Sequence, residues 1–198
     1  MNVRKPIIAG LMSLSTLVPC KAQKAVQLVS ETGMMGVVNK EASFYTGMNF
    51  ELARSKNYTD FFAGVSVTPD KKPSFIALAI NNFSWTKNIS SWVRETFVAS
   101  KNAANSTLEV APVKGNVSAG KFKFYLSPSY AIYNDFHNGA RCTQGINTIF
   151  QTSYSISPKD MIFGEAKYTS EPSKNLFNTH FGKLKDNISY YIAYMRSL

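Results

Sequence analysis

Cysteine is scarce: the 198-residue chain holds two, Cys20 and Cys142. Cys20 falls in an N-terminal leader, so Cys142 has no partner for an internal disulfide, and the fold must rest on packing and backbone hydrogen bonds. That excludes the small disulfide-stapled secreted domains. Charge is also sparse, at 17% Asp, Glu, Lys and Arg against roughly 25% in ordinary soluble domains. Beyond the leader no apolar run is long enough for a transmembrane helix, and no segment carries a helical stripe. Catalytic signatures are missing too: there is no nucleophile elbow, no paired zinc-ligand spacing, no phosphate-cradling glycine loop and no CxxC. His137 and His180 are the two imidazoles open to acid–base chemistry, and surface or rim positions account for both. No metal and no cofactor is expected.

What is present begins with residues 1–22, which read as an export signal. Arg4 and Lys5 form a basic start, and Pro6 to Pro19 is an apolar run too short to span about 30 Å of hydrocarbon. Cys20-Lys21-Ala22 then offers small residues at a cleavage point. A core helix and a lipid-modified Cys20, suggested by Leu17-Val18-Pro19-Cys20, are the alternatives. The net charge is +10, with Arg4, Lys5 and Lys21 lying in the leader. The other basic residues are scattered rather than gathered into a stripe, which argues against a nucleic-acid partner and for contact with anionic head groups at a membrane rim. Export without a cysteine framework points to the bacterial envelope.

Past the leader the period is two, as in strands with unlike faces. Phe122, Phe124, Leu126, Pro128, Tyr130 and Ile132 alternate with Lys121, Lys123, Tyr125, Ser127, Ser129 and Ala131. After the turn-like 135–139, Cys142, Ile146, Phe150 and Tyr154 oppose Thr143, Asn147, Gln151 and Ser153. The predicted strands are 43–53, 59–68, 74–85, 90–100, 106–113, 120–134, 141–156, 160–170, 176–184 and 186–196. Residues 23–42 form an N-terminal segment whose structure stays open among a short amphipathic helix, an extra strand and a loose tail. The barrel domain is expected at 43–198.

Even spacing leaves a soluble sandwich, a soluble ligand-binding barrel and a membrane barrel. Strand length decides for the membrane, because many candidates reach the roughly ten residues that cross a bilayer at a tilt. Aromatics near strand ends (Tyr58, Trp85, Trp92, Tyr133, Tyr154, Tyr168) are expected at the interfaces. Ile188, Tyr190, Ile192 and Tyr194 alternate with Asn187, Ser189, Tyr191 and Ala193 close to the end. This resembles the closing strand of small bacterial outer-membrane β-barrel proteins. The resemblance implies insertion by the barrel-assembly machinery through that alternating strand.

The expected fold is all-β, an antiparallel up-and-down barrel of about eight to ten strands, too narrow for a wide aqueous channel. Phe122, Phe124, Leu126, Tyr190, Ile192 and Tyr194 form its lipid-facing band. Glu51, Lys121, Lys123, Glu165 and Lys167 fall on the wet parity and are expected to pair as a lumen charge network. Arg94 and Glu95 are adjacent, so one of them must face outward, and Pro128 calls for a bulge or an edge. The function expected is a structural, surface-interaction or narrow-pore role in the outer membrane, with membrane lipid and lipopolysaccharide as partners. A lipid-modifying barrel enzyme using His180 or His137 is the first alternative. A soluble periplasmic barrel holding a small apolar ligand is the second.

Overall fold

In a computed structural model, the described residues are 25–40, 42–54, 57–68, 73–101, 104–136, 141–170 and 187–198. The predicted leader 1–22, the candidate strand 176–184, His137 and His180 lie outside them. Ten strands follow one another: β1 (Ala25–Val37), β2 (Ser43–Arg54), β3 (Asn57–Val67), β4 (Pro73–Ser84), β5 (Ile89–Ser100), β6 (Ala104–Ala119), β7 (Phe122–Asp135), β8 (Arg141–Ser155), β9 (Asp160–Ser170) and β10 (Asn187–Ser197). Each pairs antiparallel with its neighbours in sequence, and β1 pairs with β10, so the meander closes into a barrel. Closure leaves no open sheet edge.

The first strand corrects the expected domain boundary. Residues 25–37 are an integral stave, paired along β2 from Ala25↔Ala53 to Met35↔Ser43 and along β10 from Val29↔Ser197 to Val37↔Ser189. The barrel therefore begins at Ala25 rather than at Ser43.

The β7–β8 hairpin pairs without interruption from Phe122↔Tyr154 to Asp135↔Arg141. The β6–β7 hairpin turns tightly at Gly120 and Lys121, with Gly120 at φ +60°, a conformation glycine adopts without steric cost. One residue more than expected is accommodated within β6. Its pairing with β7 stops at Val110↔Tyr130 and resumes at Gly115↔Leu126, and its pairing with β5 slips between Ser90 and Trp92. This is a one-residue bulge, and it contains Pro112 and faces Pro128. Neither proline can donate a ladder hydrogen bond, so the two prolines sit where the ladder is already interrupted. Because the side-chain period is two, the bulge reverses the inward parity. Glu109 and Ala111 point inward before it, and Lys114 does so after it.

Outside, the barrel is apolar. Phe50, Phe75, Phe83, Leu126 (55% exposed), Phe150 and Ile192 (49%) all stand on the outer surface, with Phe122, Phe124 and Tyr194 on the same parity. An apolar belt of this extent far exceeds the patches soluble monomers expose. Phe122 packs on Tyr154 with ring centroids 4.7 Å apart, and Phe124 on Phe150 at 6.4 Å, a cluster near the rim that carries the chain termini. Trp85, 62% exposed in the β4–β5 turn, and Tyr168 also face outward. Three of the expected interfacial aromatics do not. Tyr58 and Trp92 line the lumen, and the Tyr133 hydroxyl donates to lumen-facing Asn147.

Adjacent positions on β7 make a direct test of the two faces. Phe124→Asp places a carboxylate against lipid, which costs less than the roughly 2–4 kcal/mol known for Arg or Lys at the bilayer midplane but still opposes insertion. It is expected to reduce the amount of barrel assembled in membranes. Lys123→Asp, at an exposed cavity mouth, is expected to assemble near the parent level. Quantitative blotting of washed membranes gives the comparison, and equal losses would contradict this assignment of the two faces.

Candidate functional site

The lumen holds a cavity of about 900 Å³, and its lining runs from Gln27, Lys159 and Ser197 at the terminal rim to Lys40, Ser43 and Val98 at the opposite rim. Two unlike walls face each other across it.

The first wall is ionic and is organised by Arg94 at mid-height of β5. Its Nε and Nη2 donate to Glu109 Oε2 on β6 at 3.1 and 2.6 Å. Its Nη1 donates to both oxygens of Glu165 on β9 at 3.3 and 3.1 Å. Strands β6, β7 and β8 separate β5 from β9 in the sheet, so the Arg94–Glu165 pair is a chord across the lumen. Each carboxylate has further donors. Glu109 accepts from Ser129 Oγ at 2.6 Å and from Asn147 Nδ2, and Glu165 accepts from Gln151 Nε2 at 2.7 Å. The guanidinium also lies 5.0 Å over the Trp92 ring, where a cation is attracted to the aromatic face. Trp92, Ala111 and Ile149 pack together beside this network and fill that side of the barrel.

The second wall is apolar and aromatic. Tyr45, Phe62, Ile76 and Ala193 form a buried cluster, against which Leu78, Val98, Phe163 and Tyr191 pack. Tyr45 stacks on Tyr191 at 5.3 Å and meets Phe62 edge-on at 5.9 Å. Both tyrosine hydroxyls donate to Glu31 Oε1, Tyr45 at 3.0 Å. Buried Glu31 (4% exposed) is thereby held by hydrogen bonds rather than by a cation.

The predicted charge network is partly gathered here. Glu51, Lys123, Glu165 and Lys167 line the cavity, and the Lys167 ammonium sits 5.7 Å from the Tyr133 ring centroid. Lys121 does not join them: it lies exposed in the β6–β7 turn, because the strand parity ends at Gly120. Sequence reasoning missed Arg94, Glu109, Glu31, Asp60 and Lys114 as lumen groups. The Arg94-Glu95 adjacency was the available signal. Arg94 takes the lumen side, and Glu95 takes the other face of β5 by alternation. Lys114 could not be found by parity, since the bulge inverts the pattern just before it. Cys142 is a free, half-buried thiol on β8.

Among the lining residues six are acidic (Glu31, Glu51, Asp60, Glu109, Asp160, Glu165) and six are basic (Lys40, Arg94, Lys114, Lys123, Lys159, Lys167). Among the described residues the formal charges of the lining therefore balance.

No protein-family model and no curated protein matches the chain. Solved structures do match, at low identity. The KdgM porin in complex with disordered oligogalacturonate is 8% identical, with 86% of this chain and 99% of that chain covered and a TM-score of 0.47. The translocator domain of autotransporter NalP from Neisseria meningitidis is 8% identical, with coverage of 98% and 95% and a TM-score of 0.45. Outer-membrane expressed OmpT of Vibrio cholerae is 10% identical, with coverage of 79% and 56% and a TM-score of 0.38. The chain thus spans little more than half of the OmpT chain.

Proposed function

We propose that this chain is a bacterial outer-membrane β-barrel protein whose lumen is braced against bulk flow, with a structural, surface-interaction or narrow-pore role and no catalysis of its own. The observation that carries this reading is the Arg94 chord, tied to Glu109 on one side of the lumen and Glu165 on the other. The apolar outer belt supports a lipid surround. Ten strands make a barrel only slightly wider than the eight-stranded kind that its own side chains fill. Surface lysines at the rims suit lipid head groups and lipopolysaccharide phosphates, and the alternating β10 suits the barrel-assembly machinery.

Conductance in planar bilayers tests the reading. The parent protein is expected to give small, infrequent openings with a reversal potential near zero in a salt gradient, since the charges of the described lining residues balance. Arg94→Ala/Glu109→Gln/Glu165→Gln removes the chord, leaving the described lining with one positive charge in excess beside Lys114 and Lys167, and is expected to open a larger, steadier conductance. Large openings in the parent, unchanged in the triple variant, would overturn the braced lumen.

A further inference from the structure

We infer that the lumen is a binding site for an uncharged, largely apolar small molecule bearing one hydrogen-bonding group. This inference deepens the barrel reading above and rests on it. A channel serving only ions and water needs a polar lining, yet here one wall is built from Tyr45, Phe62, Ile76, Leu78, Phe163 and Tyr191, all bordering the cavity. Lipid-facing needs do not explain these residues, because they lie on the inward parity while a separate apolar set covers the outside. Filling needs do not explain them either, since a cavity of about 900 Å³ remains beside them, within the range of small-molecule sites, which are mostly apolar with a few placed polar groups.

The facing wall supplies such polar groups. Trp92 is 3% exposed and Gln151 8% exposed. Both border the cavity, and among the described residues Trp92 Nε1 and Gln151 Oε1 have no hydrogen-bond partner. One is a donor and the other an acceptor, and an unpartnered buried polar atom is costly. Both flank the same ion pair: Trp92 lies under the Arg94 guanidinium, and Gln151 donates its amide to Glu165. Neighbouring atoms cover both, so a hydroxyl, amine N–H or carbonyl would meet one of them after a small rotation of the Trp92 or Gln151 side chain, while the rest of the molecule lay on the aromatic wall. Charge argues for a neutral occupant. Arg94 serves both Glu109 and Glu165, the remaining negative charge is faced by Lys167, and the described lining offers no excess of either sign.

N-phenylnaphthylamine is a suitable probe: it is uncharged and aromatic, carries one N–H, and absorbs where tryptophan emits. The chain has two tryptophans, so Trp85→Phe leaves Trp92 as the lumen donor for energy transfer. With this protein in lipid nanodiscs, and empty discs as the baseline, saturable transfer from Trp92 is expected, while the sulfonated analogue anilinonaphthalene sulfonate gives none. Leu78→Phe/Val98→Phe fills the apolar wall and is expected to weaken binding about tenfold, equivalent to about 1.4 kcal/mol. Lys121→Gln, in the exposed β6–β7 turn away from the cavity lining, is expected to leave binding unchanged. Leu78→Gln, which makes the wall polar at constant volume, provides the same comparison if the double variant fails to fold. Every preparation is first checked for heat-modifiable gel mobility, so loss of the barrel is told apart from loss of the site. Non-saturable transfer, equal binding of the sulfonate, or unchanged affinity in the wall variants, in protein that passes the gel check, would overturn the inference.

Discussion

Replacing Arg94 by leucine is expected to lower the unfolding free energy of the barrel by about 3–5 kcal/mol, the cost of breaking a buried ion pair from one side. Glu109 and Glu165 are 1% and 11% exposed at their side chains, so both carboxylates would stay in the lumen without their shared cation. Ser129, Asn147 and Gln151 would still donate to them, which tempers the loss without replacing the charge. Arg94→Lys is expected to recover only part of it, because an ammonium cannot reproduce the forked contact with both carboxylates. Adding Glu109→Gln and Glu165→Gln to Arg94→Leu is expected to restore most of the stability, since neutral amides have far less desolvation to recover. Denaturant titration of the refolded barrel in detergent reads all three. A single variant as stable as the parent would mean that the chord contributes nothing.

Gly64→Val is the second large effect, for a steric reason. Gly64 pairs with Gly47 across the β2–β3 ladder, and the Phe62 ring lies against both. A Cβ on Gly64 would sit 2.5 Å from the Thr46 carbonyl oxygen and 2.6 Å from Phe62 Cζ, and one on Gly47 would sit 2.5 Å from each of the Ala63 carbonyl oxygen and Phe62 Cζ. The ring can swing aside, but the backbone oxygen cannot without disturbing the ladder. Overpacking of this kind costs about 1–3 kcal/mol. Phe62→Ala added to Gly64→Val is expected to recover only the part due to the ring. Full recovery would show that the backbone contact is harmless, and no loss in the single variant would show that the Phe62 seat is not needed.

The legible and illegible parts of the sequence divide on physical lines. The β7–β8 hairpin was readable because one parity is apolar and the other polar along its whole length, as a wall between lipid and lumen requires. The far half of β6 was not, since the bulge at Pro112 breaks the period that defines a strand; the sequence pattern ends at 113, whereas the strand runs to Ala119. Pro128 signalled an interruption, which falls on the neighbouring strand. The first strand was hidden for a different reason. Its inward positions Val29, Glu31, Gly33 and Met35 mix apolar, charged and small residues, and Gly33 is needed bare because Tyr45 and the β10 backbone approach it closely. The apolar lumen wall was masked by runs such as Phe44-Tyr45, Phe61-Phe62 and Ile76-Ala77-Leu78, where both parities are greasy and neither face declares itself. Charge pairing across the lumen was beyond reach, because Arg94 and Glu165 are brought together only by closure of the barrel.

Gel mobility of the protein in washed outer-membrane fractions, with and without boiling in detergent, tests the central claim most directly. A closed barrel with a lipid-facing belt remains in that fraction and stays folded in cold detergent, so it should migrate differently from the boiled chain. Recovery as soluble protein with a single mobility before and after heating would contradict the membrane barrel.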